Sequence, residues 1–137
     1  MVDVTYRDFR RCMRIFTRRA ELWTEMINAN CILYCERSKL PEFLDFGDEE
    51  HPIVCQLGGN EPPQLAEAAQ VVEQWGYDGV NLNCGCPSDR VAGKGCFGAA
   101  LMKSPEIVRD CIHAMSRAVN ELEYCTCIGV FFTPCAK

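Results

Sequence analysis

Cys86 sits between Gly85 and Pro87, three residues after Asn83, inside the run Gly79-Val80-Asn81-Leu82-Asn83-Cys84-Gly85-Cys86-Pro87-Ser88-Asp89-Arg90-Val91. A thiol stiffened by the fixed φ of a following proline is well placed for chemistry if it stands at the mouth of a strand. An ordinary thiol, with a pKa of about 8.5, is mostly protonated at neutral pH and can act as a general acid. Gln56 closes a second apolar run, Pro52–Leu57, and its amide can both donate and accept. Asn83 closes the run before Cys86. Arg90 and Lys94 follow in a glycine-rich loop, where two cations could hold phosphate. Each residue also has a plain structural reading: a loop thiol, an inward glutamine bonded to backbone, a turn-stabilising asparagine, two solvated cations.

The surrounding elements must bring these groups together. Val80 and Leu82 alternate with Asn81 and Asn83, which predicts a buried strand over Gly79–Asn83. Leu22–Ile27 and Pro52–Leu57 read as strands as well, with a helical or irregular segment over 28–37 and a surface loop over Leu40–Glu50. Between Pro52–Leu57 and Gly79 a helix is expected, capped by Asn60, with Pro62 in its first turn and Gly76 as its stop. Leu65, Ala68, Ala69, Val72 and Trp75 form its inner face. Ser104 caps a later helix with Pro105 at its first position, and Ile107, Val108, Cys111, Ile112, Met115 and Val119 form its buried stripe. Tyr124–Phe132 is a final strand. Strand and helix alternate, the α/β pattern of a parallel sheet, whose ligands sit at the C-terminal strand ends. A closed (β/α)8 TIM barrel typically takes about 250 residues. With 137 residues, the chain holds a partial barrel, roughly half of one.

The N-terminal segment is distinct. Thr5–Arg19 is predicted helical, with Phe9, Cys12, Met13 and Phe16 as its inward stripe. Arg7, Arg11, Arg14 and Arg18 recur on another face, read as a solvated basic surface or as a contact for RNA phosphates. The net charge of −5 argues against nucleic-acid binding on bulk charge, but six arginines fall within the first nineteen residues. Eleven cysteines and no visible secretory signal favour reduced thiols, mostly acting as small buried apolar residues. The expected compartment is the cytoplasm, with an organelle as the alternative, and no apolar run is long enough to span a membrane.

Asn-Leu-Asn-x-Gly-Cys-Pro-Ser-Asp-Arg-Val over residues 81–91, followed by Phe-Gly-Ala-x-Leu-Met over 97–102, resembles the signature of tRNA-dihydrouridine synthases. The resemblance continues in Val54-Cys55-Gln56-Leu57-Gly58-Gly59, in Thr24-Glu25-Met26 and at Met1-Val2-Asp3 with Thr5 and Arg7. It covers residues 1–119, the N-terminal part of an FMN-binding barrel, and leaves 120–137 as a divergent C-terminal tail. It implies reduction of uridine in tRNA to 5,6-dihydrouridine, with hydride from FMN, NADPH as reductant and no metal. It assigns Cys86 as the proton donor, Gln56 and the Met1 backbone to the flavin, and Asn83 to flavin and uridine; Arg90 and Lys94, beside the cysteine, could hold the phosphates of substrate RNA. Family members carry Val-x-Val-Lys-x-Arg-x-Gly on the strand after the last helix, whereas Tyr124–Gly129 has neither Lys nor Arg. A strand before Met1, the later strands and a C-terminal helical domain would lie outside this chain.

Three other readings compete. One is a catalytically inactive RNA- or protein-binding fragment of the same family. Another is a four-thiolate zinc module built from Cys84, Cys86, Cys125 and Cys127, although structural zinc sites prefer wider pair spacing. The last is a relative of dihydroorotate dehydrogenase, against which the Ser-Asp-Arg-Val continuation argues.

Overall fold

A computed structural model describes residues 4–128. Helix α1 (Arg7–Phe16) precedes strand β1 (Leu22–Asn28), followed by short helices α2 (Ala29–Tyr34) and α3 (Leu40–Leu44). Then come β2 (Ile53–Gly58), α4 (Pro62–Gln74), β3 (Gly79–Asn83), α5 (Pro105–Ala118) and β4 (Tyr124–Ile128). Every strand pair is parallel and the order is β1-β2-β3-β4. Parallel crossovers are right-handed, so stepping always in one direction places the helices on a single face. That sequential winding is the geometry of a (β/α) barrel wall, and it leaves the opposite face of the sheet as the lumen side.

The alternation within each strand divides the two faces. Ile53, Cys55 and Leu57 of β2, Val80 and Leu82 of β3, and Cys125 of β4 join Leu65, Ala68, Ala69 and Val72 of α4 and Cys111, Ile112 and Met115 of α5 in one core. Between them, Gln56, Asn81, Asn83 and Thr126 take the opposite face. β1 and β2 lose register between Trp23 and Met26. There Thr24 and Glu25 together oppose Cys55, a bulge that leaves one ladder donor without a backbone partner. Thr24 Oγ1 fills the gap, accepting from the Gln56 N–H at 3.0 Å.

Several expectations change on folding. The segment 40–50 is more than surface loop: α3 begins at Leu40, and Leu44 and Glu50 are fully buried. Asn60 does not cap α4; Glu61 holds that position, and the Asn60 side chain reaches across to the Cys96 carbonyl at 3.4 Å. Ser104 precedes α5 but makes no side-chain cap, and Ile107 is exposed rather than part of the buried stripe. Of the ten described cysteines, all free thiols, only Cys55, Cys84, Cys111 and Cys125 are buried, so most do not serve as core residues. The final strand is described over Tyr124–Ile128; its expected continuation to Phe132 lies outside the described residues.

The largest change concerns α1, which is shorter than Thr5–Arg19 and turned only partly as expected: Phe9 and Met13 are half-buried, Met13 against the core, but Cys12 and Phe16 are not. Ile15 is 82% exposed and Phe16 78% exposed, while Arg10 and Arg14 are buried at 5% and 8%. The expected inward residue Cys12 is also exposed. Buried guanidinium groups need acceptors; residues 45–52 with Thr5, Thr17 and Ala20 supply all but one of them, leaving Arg14 Nε without a partner. Arg10 Nε donates to the buried carboxylate of Glu50 at 2.6 Å. Arg14 donates to the carbonyls of Glu50 (2.6 Å) and Ala20 (2.7 Å). Outside them Arg11 pairs with Glu49 and Arg7 with Asp45. Arg10 and Arg14 thus form a structural clamp onto the acidic segment before β2, whereas Arg7, Arg11 and Arg18 of the basic stripe stay exposed as expected of a solvated face.

Candidate active site

The predicted residues converge at the C-terminal ends of β2 and β3. Parallel pairing sets Gln56 in register with Asn81, and period-2 alternation puts Asn83 one step further along the same face. Asn83 Nδ2 donates to Gln56 Oε1 at 2.8 Å, and Gln56 Nε2 donates to Asn81 Oδ1 at 3.1 Å. Asn83 Oδ1 in turn accepts from the backbone N–H groups of Gly85 (3.1 Å) and Cys86 (2.9 Å). A short polar side chain that binds the backbone two and three residues on is the local device of an Asx turn. It reverses the chain after β3 and brings Cys86 over the end of the row.

The loop beyond Cys86 is tightly folded back. Ala99 N–H donates to the Cys86 carbonyl at 2.9 Å, closing the segment 86–99 on itself. Gly98 stands at φ +63, and a Cβ there would lie 2.8 Å from the Cys86 carbonyl oxygen and 2.7 Å from Val91. Phe97 is buried and anchors the loop against Gly58 and Gly95, where added Cβ atoms would overlap its ring. Arg90 lies on the exposed turn Asp89–Gly93 and makes no ion pair among the described residues. Lys94 is exposed on the same loop. Met1 lies outside the described residues.

Two cysteines flank the turn in different environments. Cys86 is half-buried at the rim. Cys84 points into the core, where burial pushes its thiol up to about 12, with the neighbouring Cys127 and Cys111 adding to the effect. Cys84 is thus held neutral and inert, while Cys86 is the thiol within reach of a ligand. Cys84 hydrogen-bonds with Cys127, and among the described residues no group of His, Cys, Asp or Glu is arranged to hold a metal ion.

Sequence reasoning missed Asn81, Thr24 and Thr126. Asn81 is completely buried and donates from Nδ2 to Thr126 Oγ1 at 2.9 Å, extending the polar row to β4. The signal was present: parallel strands covered on both faces usually read as unbroken apolar runs, and an asparagine in mid-strand at position 81 departs from that. The row can hold a planar ligand edge through neutral donors and acceptors. Neither lysine nor arginine occurs on β4, Tyr124–Ile128.

A family model described as dihydrouridine synthase matches residues 1–125. The chain is 50% identical over 120 residues to a tRNA-dihydrouridine(20/20a) synthase of Synechocystis sp., covering 88% of this chain and 35% of that protein. It is 48% identical over 118 residues to the protein of the same name from Xanthomonas campestris pv. campestris, covering 86% of this chain and 34% of that one. Against the Salmonella typhimurium protein of that name the identity is 43% over 120 residues, with 88% and 35% covered. The chain spans about a third of the length of the curated relatives it matches. Among the described residues no helix is long and apolar enough to cross a membrane.

Proposed function

The chain belongs to the dihydrouridine synthase family, and on that premise we propose that it is the N-terminal part of an FMN-dependent enzyme reducing uridine in tRNA to 5,6-dihydrouridine. The observation that carries the reading is the continuous set of hydrogen bonds from Gln56 through Asn83 to the backbone of Cys86 at one rim of the sheet. Residues 1–119 form this part of the barrel, and 120–137 the divergent tail, whose β4 adds to the sheet beside β3.

The amides fit the edge of a flavin ring. After its bonds to Asn81 and Asn83, Gln56 keeps one N–H and one oxygen lone pair for a ligand. The Met1 backbone is assigned to the same ligand by family resemblance. When bound, reduced FMN, regenerated by NADPH, supplies the hydride that reduces uracil at C6. Cys86 gives the thiol proton to C5, a general-acid role for which its half-buried place beyond the strand end is suited. Asn83 has two tasks. Its oxygen holds the Gly85–Cys86 turn, and its second N–H is left for the uridine. The exposed guanidinium of Arg90 meets a tRNA phosphate. The compartment this reading favours is the cytoplasm, where tRNA and NADPH occur together, with an organelle as the alternative.

The test is to complete the barrel by joining residues 1–128 to the remaining part of the Synechocystis relative, then to incubate it with tRNA transcript, FMN and NADPH. Dihydrouridine found by mass spectrometry of the digested tRNA is the expected product. A folded, flavin-loaded fusion that leaves every uridine unreduced overturns the proposal in favour of an inactive fragment.

A further inference from the structure

We infer that Asn81 is a positioning residue: it fixes the rotation of the Gln56 amide and, through Gln56 and Asn83, the Gly85–Cys86 turn. The inference deepens the function proposed above and rests on it for its catalytic meaning, but its geometry stands alone.

The polarity of the row is set from the loop end. Backbone N–H groups can only donate, so those of Gly85 and Cys86 turn the Asn83 oxygen toward the loop. The Asn83 nitrogen must then face Gln56, whose oxygen accepts it. That leaves the Gln56 nitrogen facing Asn81, whose oxygen accepts in turn. Finally the Asn81 nitrogen faces Thr126, whose hydroxyl accepts at 2.9 Å. Rotating Asn83 or Gln56 by half a turn would set oxygen against oxygen or nitrogen against nitrogen at both its joints, and rotating Asn81 would set nitrogen against nitrogen toward Gln56.

Asn81 lies at the centre of this series, in register with Gln56 on one side and Thr126 on the other. It is fully buried, more so than Gln56 or Asn83, so its contribution passes through its neighbours. An apolar residue there would give Gln56 no acceptor on that side. The Gln56 amide would then be held from the Asn83 side alone, and with one of its two anchors lost the grip of Asn83 on the loop would loosen.

Three variants separate positioning from simple filling of space. Asn81→Ala removes the acceptor. Asn81→Asp keeps an oxygen toward Gln56 in either protonation state, while the Thr126 hydroxyl can switch from accepting to donating. Thr126→Val removes the far anchor while keeping the side chain's shape. The readout is amide hydrogen exchange, measured residue by residue by NMR on the 137-residue chain without flavin or tRNA. For Asn81→Ala, exchange at Gly85 and Cys86 rises about fivefold, the equivalent of one neutral hydrogen bond, relative to the β2 and β3 ladder amides. Thr126→Val moves the same two amides in the same direction, and Asn81→Asp leaves them as in wild type.

Unchanged exchange at Gly85 and Cys86 in Asn81→Ala, or Asn81→Asp as fast as Asn81→Ala, overturns the inference. Should Asn81→Ala not fold, Thr126→Val decides on the same criterion. Because no substrate is present, failure here is distinct from failure of the proposed reaction. An enzyme indifferent to Cys86 would leave this coupling intact, and broken coupling would leave the reaction to be judged by its product.

Discussion

Replacing Glu50 by glutamine isolates the clamp that holds α1 to the sheet. The Glu50 carboxylate is completely buried, accepts from Arg10 Nε at 2.6 Å and from the Gly47 N–H at 2.9 Å, and has Arg7 Nε at 3.9 Å. Glutamine keeps the shape but leaves the Arg10 guanidinium in a nearly dry site without a counter-charge. Arg10 retains only carbonyl acceptors, Thr5 at 2.8 Å and Asp45 at 3.5 Å. Removing one partner of a buried ion pair costs about 3–5 kcal/mol, against a total of about 5–15 kcal/mol for an ordinary domain. Glu50→Gln is therefore expected to forfeit a large part of the stability in equilibrium urea unfolding followed by circular dichroism. Arg10→Met combined with Glu50→Leu removes both charges together, and is expected to cost less than the two single changes added, since apolar replacement of a whole buried pair is often close to neutral. A Glu50→Gln loss below about 1 kcal/mol, the size of an exposed pair, would refute the clamp. So would additive single changes.

Two further outcomes follow from the core and the loop. Burial pushes the Cys55 and Cys84 thiols up to about 12 and Cys111 to about 11, from the ordinary value of about 8.5. Their folded values lie above their unfolded ones, so this stability is fully present below about pH 8.5 and is lost as pH rises toward 11–12. Each thiol contributes a slope of up to about 1.4 kcal/mol per pH unit in that window; the urea midpoint under reducing conditions should be flat near neutrality and fall above pH 9, and a flat profile through pH 10.5 would contradict it. Gly98→Ala forces a side chain into φ +63 and against the Cys86 carbonyl. It is expected to destabilise by about 1–3 kcal/mol in the same unfolding assay, and a neutral result would mean that the 86–99 loop is not closed as described.

The apolar runs of β2 and β3 and the glycine-proline break after Asn83 made the strands, their shared rim and the Cys86 turn legible in the sequence. Hydrophobic periodicity failed on α1 because it assumes that charged faces meet water. There the arginines find acceptors some 40 residues away, in Glu50 and its neighbours, a pairing that no local pattern announces. Asn81 was hidden for a similar reason. Its partner Thr126 lies 45 positions later and meets it only through the register of β3 with β4. Asn60 and Ser104 have residue types suited to capping, but Glu61 takes the cap position of α4 and the Ser104 side chain makes no cap bond to α5. Arg90 keeps its candidacy on charge and exposure alone.

The central claim is that Cys86 delivers the proton to uridine from the end of this row. In the completed barrel loaded with FMN and reduced beforehand, Cys86→Ala should leave the flavin spectrum and the rate of flavin reduction by NADPH unchanged. A single turnover with tRNA should then yield dihydrouridine about 10²–10⁴-fold more slowly than wild type, the usual cost of losing a general acid. Dihydrouridine formed at the wild-type rate by Cys86→Ala would contradict the account.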